Sequence, residues 1–139
     1  MIIDGKKIAE EMLKEVKNEV ALRQTQGESI RLAAVLVGDH DGSRKFLELK
    51  KIAAEKVGIN FRLYEFPTDI TTQKLRKEIV GIAKAEVNQG VLIELPLPDH
   101  INTQYVLNAI PQEKDMDVLS EKSQGAFFAN RSLILPPYF

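Results

Sequence analysis

The sequence predicts an α/β fold, a three-layer α-β-α domain built around a mainly parallel sheet. Three observations lead there. Helical periodicity and short apolar runs alternate along the chain, and the connections between them are short. The run Arg31–Val37 is apolar almost throughout, as a strand covered on both faces must be. Strands joined through helices in this way cross over right-handedly, which places helices on both faces of the sheet.

The elements follow in order. From Lys6 to Arg23, Ile8, Met12, Val16 and Val20 recur four apart and form one face of an amphipathic helix, which Gln24-Thr25-Gln26-Gly27 ends. Arg31–Val37 is the first strand. Gly38-Asp39-His40-Asp41-Gly42 turns, Ser43 is the expected cap of a helix running to Val57, and Gly58 stops it. Ile59, Phe61 and Leu63 alternate with Asn60, Arg62 and Tyr64 in a second strand ending at Phe66, with one face less buried. After Pro67, Thr71 or a neighbour caps a helix of about fifteen residues with Leu75, Ile79, Ile82 and Ala83 inward. Asn88-Gln89-Gly90 leads into a third strand, Val91 to Leu95, and Asn102 starts a short helix that Pro111 follows. Beyond Pro111 the pattern weakens into loop, with a short strand expected at Leu133-Ile134-Leu135.

A chain of 139 residues fits one core and not two comfortable domains, so residues 1–139 are read as a single domain. Nineteen basic residues against 20 acidic ones give a net charge of −1, which makes no electrostatic case for a nucleic-acid partner. With no cysteine, disulfides, thiolate catalysis and cysteine-based zinc sites are excluded. His40 and His100 stand beside aspartates in apparent loops, and solvated loop residues are the simpler account than metal ligands. No run approaches the roughly 18 apolar residues of a membrane span, and the start of the chain lacks an apolar signal segment. A cytoplasmic location without membrane attachment is the expectation.

Three places carry chemistry. Glu94 lies inside the apolar run that stops on Pro96-Leu97-Pro98, where a buried carboxylate is costly unless it meets a cation or a ligand. A strand end reaching solvent would give the same pattern. Strand ends beside stiffened loops are nonetheless where open α/β sheets keep ligand sites. Phe46 and Lys50 lie one turn apart on one helix face, an aromatic ring beside an ammonium, suited to a flat heterocycle and a proton-transfer group. Their bland alternatives are a core ring and a solvated lysine. Asp115-Met116-Asp117 offers two carboxylates on one side of an extended segment, against the simpler account of solvated loop charges. Neither G-x-G-x-x-G nor G-x-x-x-x-G-K-[ST] occurs.

Taken together these segments have a familiar order. Ile2-Ile3-Asp4-Gly5-Lys6 opens the chain, Val35-Leu36-Val37-Gly38 follows, and Ser43-x-x-Phe46-x-x-x-Lys50-Lys51 runs into Ala54-Glu55-Lys56-Val57-Gly58-Ile59. Then come Gly90-Val91-Leu92-Ile93-Glu94-Leu95-Pro96-Leu97-Pro98 and Pro111-x-x-Lys114-Asp115-Met116-Asp117. From residue 2 to about 136, the chain resembles the N-terminal catalytic domain of bifunctional methylenetetrahydrofolate dehydrogenase/methenyltetrahydrofolate cyclohydrolase, the FolD family. The resemblance implies interconversion of methylene-, methenyl- and formyltetrahydrofolate. It assigns catalytic positions to Lys50, Phe46 and Glu94, and substrate binding to Phe46, Lys50, Leu95, Pro96 and Asp117.

The departures from the family are specific. Its tyrosine, which stacks on the substrate, is Phe46; its glutamine, which hydrogen-bonds the lysine, is Glu94; and the glycine after its aspartate is Val118. A carboxylate near Lys50 favours the charged ammonium, which opposes its use as a proton shuttle, and Phe46 lacks the hydroxyl of a proton relay. The resemblance therefore implies impaired cyclohydrolase chemistry, or alternatively an inactive folate-binding or interaction module. It further implies that the family's Rossmann-type second domain lies outside this chain, so NADP is expected only with that domain and no cofactor or metal is expected on these residues alone. The resemblance leaves a fragment of a longer protein and a naturally truncated relative both open, and the ending Leu135-Pro136-Pro137-Tyr138-Phe139, in place of the family's Pro-Cys-Thr-Pro, leans slightly toward natural truncation or sequence decay over a deliberate cut. Apolar surface left uncovered predicts a homo-oligomer.

Overall fold

The computed structural model describes residues 3–132 and 134–137. Three parallel strands form its sheet: β1 (Arg31–Val37), β2 (Asn60–Phe66) and β3 (Gly90–Ile93), in the order β2-β1-β3. Helix α1 (Gly5–Thr25) precedes β1. Helix α2 (Asp41–Lys56) joins β1 to β2, and α3 (Thr72–Lys84) carries the chain from β2 back across β1 to β3. Because these two crossovers run in opposite directions from β1, α2 and α3 lie on opposite faces of the sheet.

Side chains alternate between two cores, as strand geometry requires. On the α3 face, Ala33, Val35, Val37, Val91 and Ile93 pack with Leu75, Ile79, Ile82 and Ala83. On the α2 face, Ala34, Leu36 and Leu92 meet Leu47. The α3 side is far better filled, because α4 (Thr103–Leu107) adds Val106 and Leu107 to it. Thr71 caps α3 as expected, its hydroxyl accepting from Lys74 N at 3.3 Å. At the other end of α3, the Lys114 ammonium donates to Ala83 O and Ala85 O at 2.8 and 3.1 Å, a cation placed at the negative end of the helix.

Several expectations need correction. Ser43 is not the cap of α2: the helix starts at Asp41 after His40, and Ser43 is buried within its first turn. The two faces of β2 are similarly half-buried, since it is an edge strand with Tyr64 and Phe66 on one core and Phe61 and Leu63 on the other. The chain after Pro111 is more ordered than its pattern suggests, with a 3-10 turn at Gln112–Lys114 and a helix α5 (Glu121–Phe128) capped by Ser120. Of the expected strand Leu133-Ile134-Leu135, Leu133 lies outside the described residues and the other two are not extended into a strand.

Helix α1 differs most from a packed amphipathic helix. Only Val20 is buried, while Ile8, Met12 and Val16 are 47%, 61% and 42% exposed. The helix is anchored near its C-terminal end, where Gln24 Nε2 donates to Gly58 O at 3.1 Å. Gly58 sits just past the end of α2 with φ +89°, and a Cβ there would stand 3.3 Å from Val20 Cγ1, so glycine serves both the left-handed turn and the close approach. No described helix is long and apolar enough to cross a membrane.

Candidate functional site

The candidate site lies where β3 ends and α2 passes over it. Strand β3 stops at Ile93, yet Glu94 N still donates to Val35 O at 2.9 Å, so Glu94 is held by the ladder at the mouth of the sheet. Its side chain is only 10% exposed. Helix α2 brings Lys50 to meet it: the ammonium donates to Glu94 Oε2 at 2.8 Å. Burial of a lone carboxylate is costly, and this pairing offsets the cost. Phe46, one turn earlier on α2, is 58% exposed and is a surface ring rather than a core one. Leu95 and Pro96 follow Glu94 as an exposed loop with a cis peptide between them, and Leu97 returns to the core.

The Asp115–Asp117 pair separates into two roles. Asp115 is buried, accepting from Leu119 N at 3.3 Å and Ser120 N at 2.9 Å, and it bridges to Val91 on the edge of β3. It fixes the loop. Gly90 takes part too, since a Cβ there would fall 2.7 Å from Met116 Cγ. Asp117 is thereby presented toward Lys50 and Glu94. Burial pushes its carboxyl above the ordinary value, the Lys50 ammonium pulls it back down, and Asp115 and Glu94 push it up again. The next residue, Val118, is buried at φ +56°, a left-handed conformation costly for a β-branched side chain.

The fold thus brings Lys50, Glu94 and Asp117 near one another, with Phe46 one turn from Lys50 on α2. The supporting role of Asp115 and Ser120 was not read from the sequence. Its only trace was Ser120-Glu121-Lys122-Ser123, a cap pattern opening a helix of weak periodicity. The histidines stay apart from this cleft: His40 precedes α2, and the ring Nε2 of His100 lies 2.9 Å from Ile70 O. Among the described residues no group of three or more histidine, aspartate or glutamate side chains is placed to hold a metal.

Comparison with known proteins gives this arrangement a context. Residues 3–117 match the model of the tetrahydrofolate dehydrogenase/cyclohydrolase catalytic domain. The chain belongs to this family. The bifunctional protein FolD of Listeria innocua serovar 6a is 37% identical over 135 residues, spanning 97% of this chain and 48% of the relative. The FolD of Nautilia profundicola is 40% identical over 124 residues, 89% of this chain and 44% of the relative. Among solved structures, the FolD methylenetetrahydrofolate dehydrogenase/cyclohydrolase of Campylobacter jejuni aligns with a TM-score of 0.92 at 30% identity, covering 96% of this chain and 48% of that one. The Trypanosoma brucei enzyme, complexed with NADP cofactor and inhibitor, aligns at 0.89 with 30% identity, covering 98% of this chain and 47% of that one. The chain therefore spans about half the length of the FolD relatives it matches.

The turn after the first strand does not fit a dinucleotide. The turn from β1 into α2, where a doubly wound sheet would seat a pyrophosphate, is Gly38-Asp39-His40-Asp41-Gly42. Asp39 and Asp41 place negative charge there, and the nearby Arg44 is already engaged by Asp39 and Glu65. No hydride-transfer step follows from these residues.

Proposed function

We propose that residues 1–139 form a single folate-binding catalytic-type domain, working in the cytoplasm, whose cleft holds a reduced folate between Phe46 and the Leu95–Pro96 loop, with Asp117 on the heterocycle. The observation that supports this reading is the convergence of Lys50, Glu94 and Asp117 from three separate segments at the end of β3. A half-exposed ring at its edge suits stacking on a flat heterocycle, and a carboxyl at Asp117 can exchange hydrogen bonds with the ring's nitrogens.

In this reading the hydrolytic half of the chemistry is weak. Opening a methenyl bridge adds water to the bridging carbon; as that oxygen becomes the formyl oxygen it gives up both protons, one to the nitrogen that departs as its C–N bond breaks and one to solvent. Lys50 is the group placed to move these protons. The Lys50 side chain is held by the Glu94 carboxylate at 2.8 Å, and a lysine engaged in that contact is not free to reach the reacting water and nitrogen, so the contact opposes the step. Phe46 provides the stacking face without a hydroxyl to relay. Dehydrogenase activity, as in the NADP-bound relative, is proposed only together with a nucleotide-binding domain outside residues 1–139.

A second reading, a catalytically silent folate-binding module, is favoured by the same Lys50–Glu94 contact. The experiment is a tetrahydrofolate titration followed by methenyltetrahydrofolate hydrolysis, on the wild type and on Phe46→Tyr/Glu94→Gln. Binding with slow hydrolysis that the double variant raises supports the first reading. Binding with no hydrolysis in either protein supports the second, and no folate binding overturns both.

A further inference from the structure

Glu94 has more to offer a ligand than the contact with Lys50 uses. Its side chain is only 10% exposed, and its amide is fixed by the 2.9 Å donation to Val35 O. Lys50 donates to Oε2 alone, and among the described residues Oε1 accepts no hydrogen bond. A carboxylate has about four acceptor sites, so a single donor leaves most of them unused. The two ends of the pair also differ in freedom. Lys50 is 32% exposed on a flexible stem and can swing to water, whereas Glu94 stays with the strand end.

Reduced folates differ in charge at one point that such a carboxylate can read. Removing a hydride from a methylene bridge leaves a methenyl bridge, whose positive charge is shared between its two nitrogens. Methylene and formyl forms carry no charge there, and the carboxylates of the tail are common to all. With Asp117 on the heterocycle, the bridge joined to that ring lies toward Lys50 and Glu94, the groups whose charges act on Asp117 from β3 and α2.

We propose that Glu94 makes the cleft selective for the cationic methenyl bridge, which takes the place of the Lys50 ammonium beside its carboxylate. The inference rests on the folate reading and names the form of folate the site prefers. Opposite charges about 4–6 Å apart in a partly buried site attract far more strongly than in water. The same contact opposes hydrolysis. Attack of water moves the C=N electron pair onto nitrogen, and release of one proton to solvent leaves an uncharged adduct. A carboxylate that stabilises the cation and not this adduct lowers the ground state and raises the barrier. Glu94 thus favours holding the bridge over opening it.

The test titrates the full chain, by rapid ultrafiltration, with methenyltetrahydrofolate and with two uncharged-bridge probes, tetrahydrofolate and 5-formyltetrahydrofolate. Wild type is expected to bind the methenyl form at least about tenfold more tightly than either probe. Glu94→Gln should lose about tenfold on the methenyl form and change by less than about twofold on the probes. Lys50→Gln, which removes the competing ammonium, should keep or increase the preference. Circular dichroism and melting temperature verify that both variants fold, and the wild-type preference is read without them. Equal binding of all three ligands by wild type overturns the proposal and leaves the folate reading standing. So does a Glu94→Gln variant that loses all three alike, or a Lys50→Gln variant that loses the preference. No binding of any of the three by wild type overturns the folate reading and the proposal with it.

Discussion

Lys50 on α2 donates to Glu94 Oε2 at 2.8 Å, joining that helix to the end of strand β3 across 44 positions of sequence. Lys50 is 32% exposed and Glu94 10% exposed, so the pair straddles the boundary between solvent and interior. Its two ends respond differently to change.

Replacing Glu94 by glutamine keeps the shape and removes the carboxylate that engages Lys50. Glu94→Gln alone should raise methenyltetrahydrofolate hydrolysis modestly, and Phe46→Tyr/Glu94→Gln by roughly 10- to 100-fold, within the range of general acid–base effects. Stability should change by less than about 1 kcal/mol in either case, because Lys50 can turn to water. Stopped absorbance assays and thermal melts measure the two effects separately. A double variant that binds folate and hydrolyses no faster would remove Glu94 as the cause.

Asp117 gives a pH dependence with a definite sign. Its folded carboxyl is raised above 3.8, chiefly by burial. Between that value and the raised one, the unfolded chain has released its proton while the folded chain still holds it. Stability therefore falls as pH rises through this interval and is level above it. Asp117→Asn should remove the fall, so the variant gains on the wild type in melting temperature from about pH 4 toward neutrality, while folate affinity drops. A difference between the two proteins that stays flat over that range contradicts the assignment.

Val118 is buried but sits at φ +56°. Alanine and glycine both sacrifice its packing, yet only glycine also relieves the left-handed backbone. Val118→Gly should thus be more stable than Val118→Ala by about 1 kcal/mol, the reverse of the usual order. Urea unfolding of the two variants decides it.

The two sides of the molecule should differ sharply in sensitivity. Ile79, fully buried on the α3 face, should cost about 2–5 kcal/mol as alanine. Ile52, 54% exposed on α2, should cost less than about 0.5 kcal/mol. Comparable losses at both positions would mean that the α2 face is covered in solution.

The parts legible in the sequence are those where one force dominates. Leu75, Ile79, Ile82 and Ala83 repeat at helical spacing because a single core claims them, and Thr71 announces its helix because four amide donors need an acceptor. Arg31–Val37 reads as a doubly covered strand because neither face tolerates a charge. Where two forces compete, the reading falters. Residues of α1 have the pattern of a packed helix, yet tertiary structure within one copy covers only Val20. Helix α5 was missed because its periodicity is weak and its start depends on a contact with Asp115, which local pattern does not encode. Phe46, Lys50, Glu94 and Asp117 stand out by residue type and family order, and the structure sets Lys50, Glu94 and Asp117 near one another. Asp115's role in holding the Asp117 loop depends on distances that spacing alone does not give.

The bridge from Asp115 to Val91 ties the last stretch of the cleft to a strand that itself exists only once β1 is in place. Lys50 and Asp117 are consequently brought together by contacts of the folded chain. A molecule that touches both discriminates completely between folded and unfolded chains, and at a hundredfold excess over its dissociation constant it adds about 2.7 kcal/mol to the folding equilibrium. Ligand supply would then set not only how many clefts are filled but how many copies survive proteolysis, so that abundance in the cell becomes a readout of the metabolite.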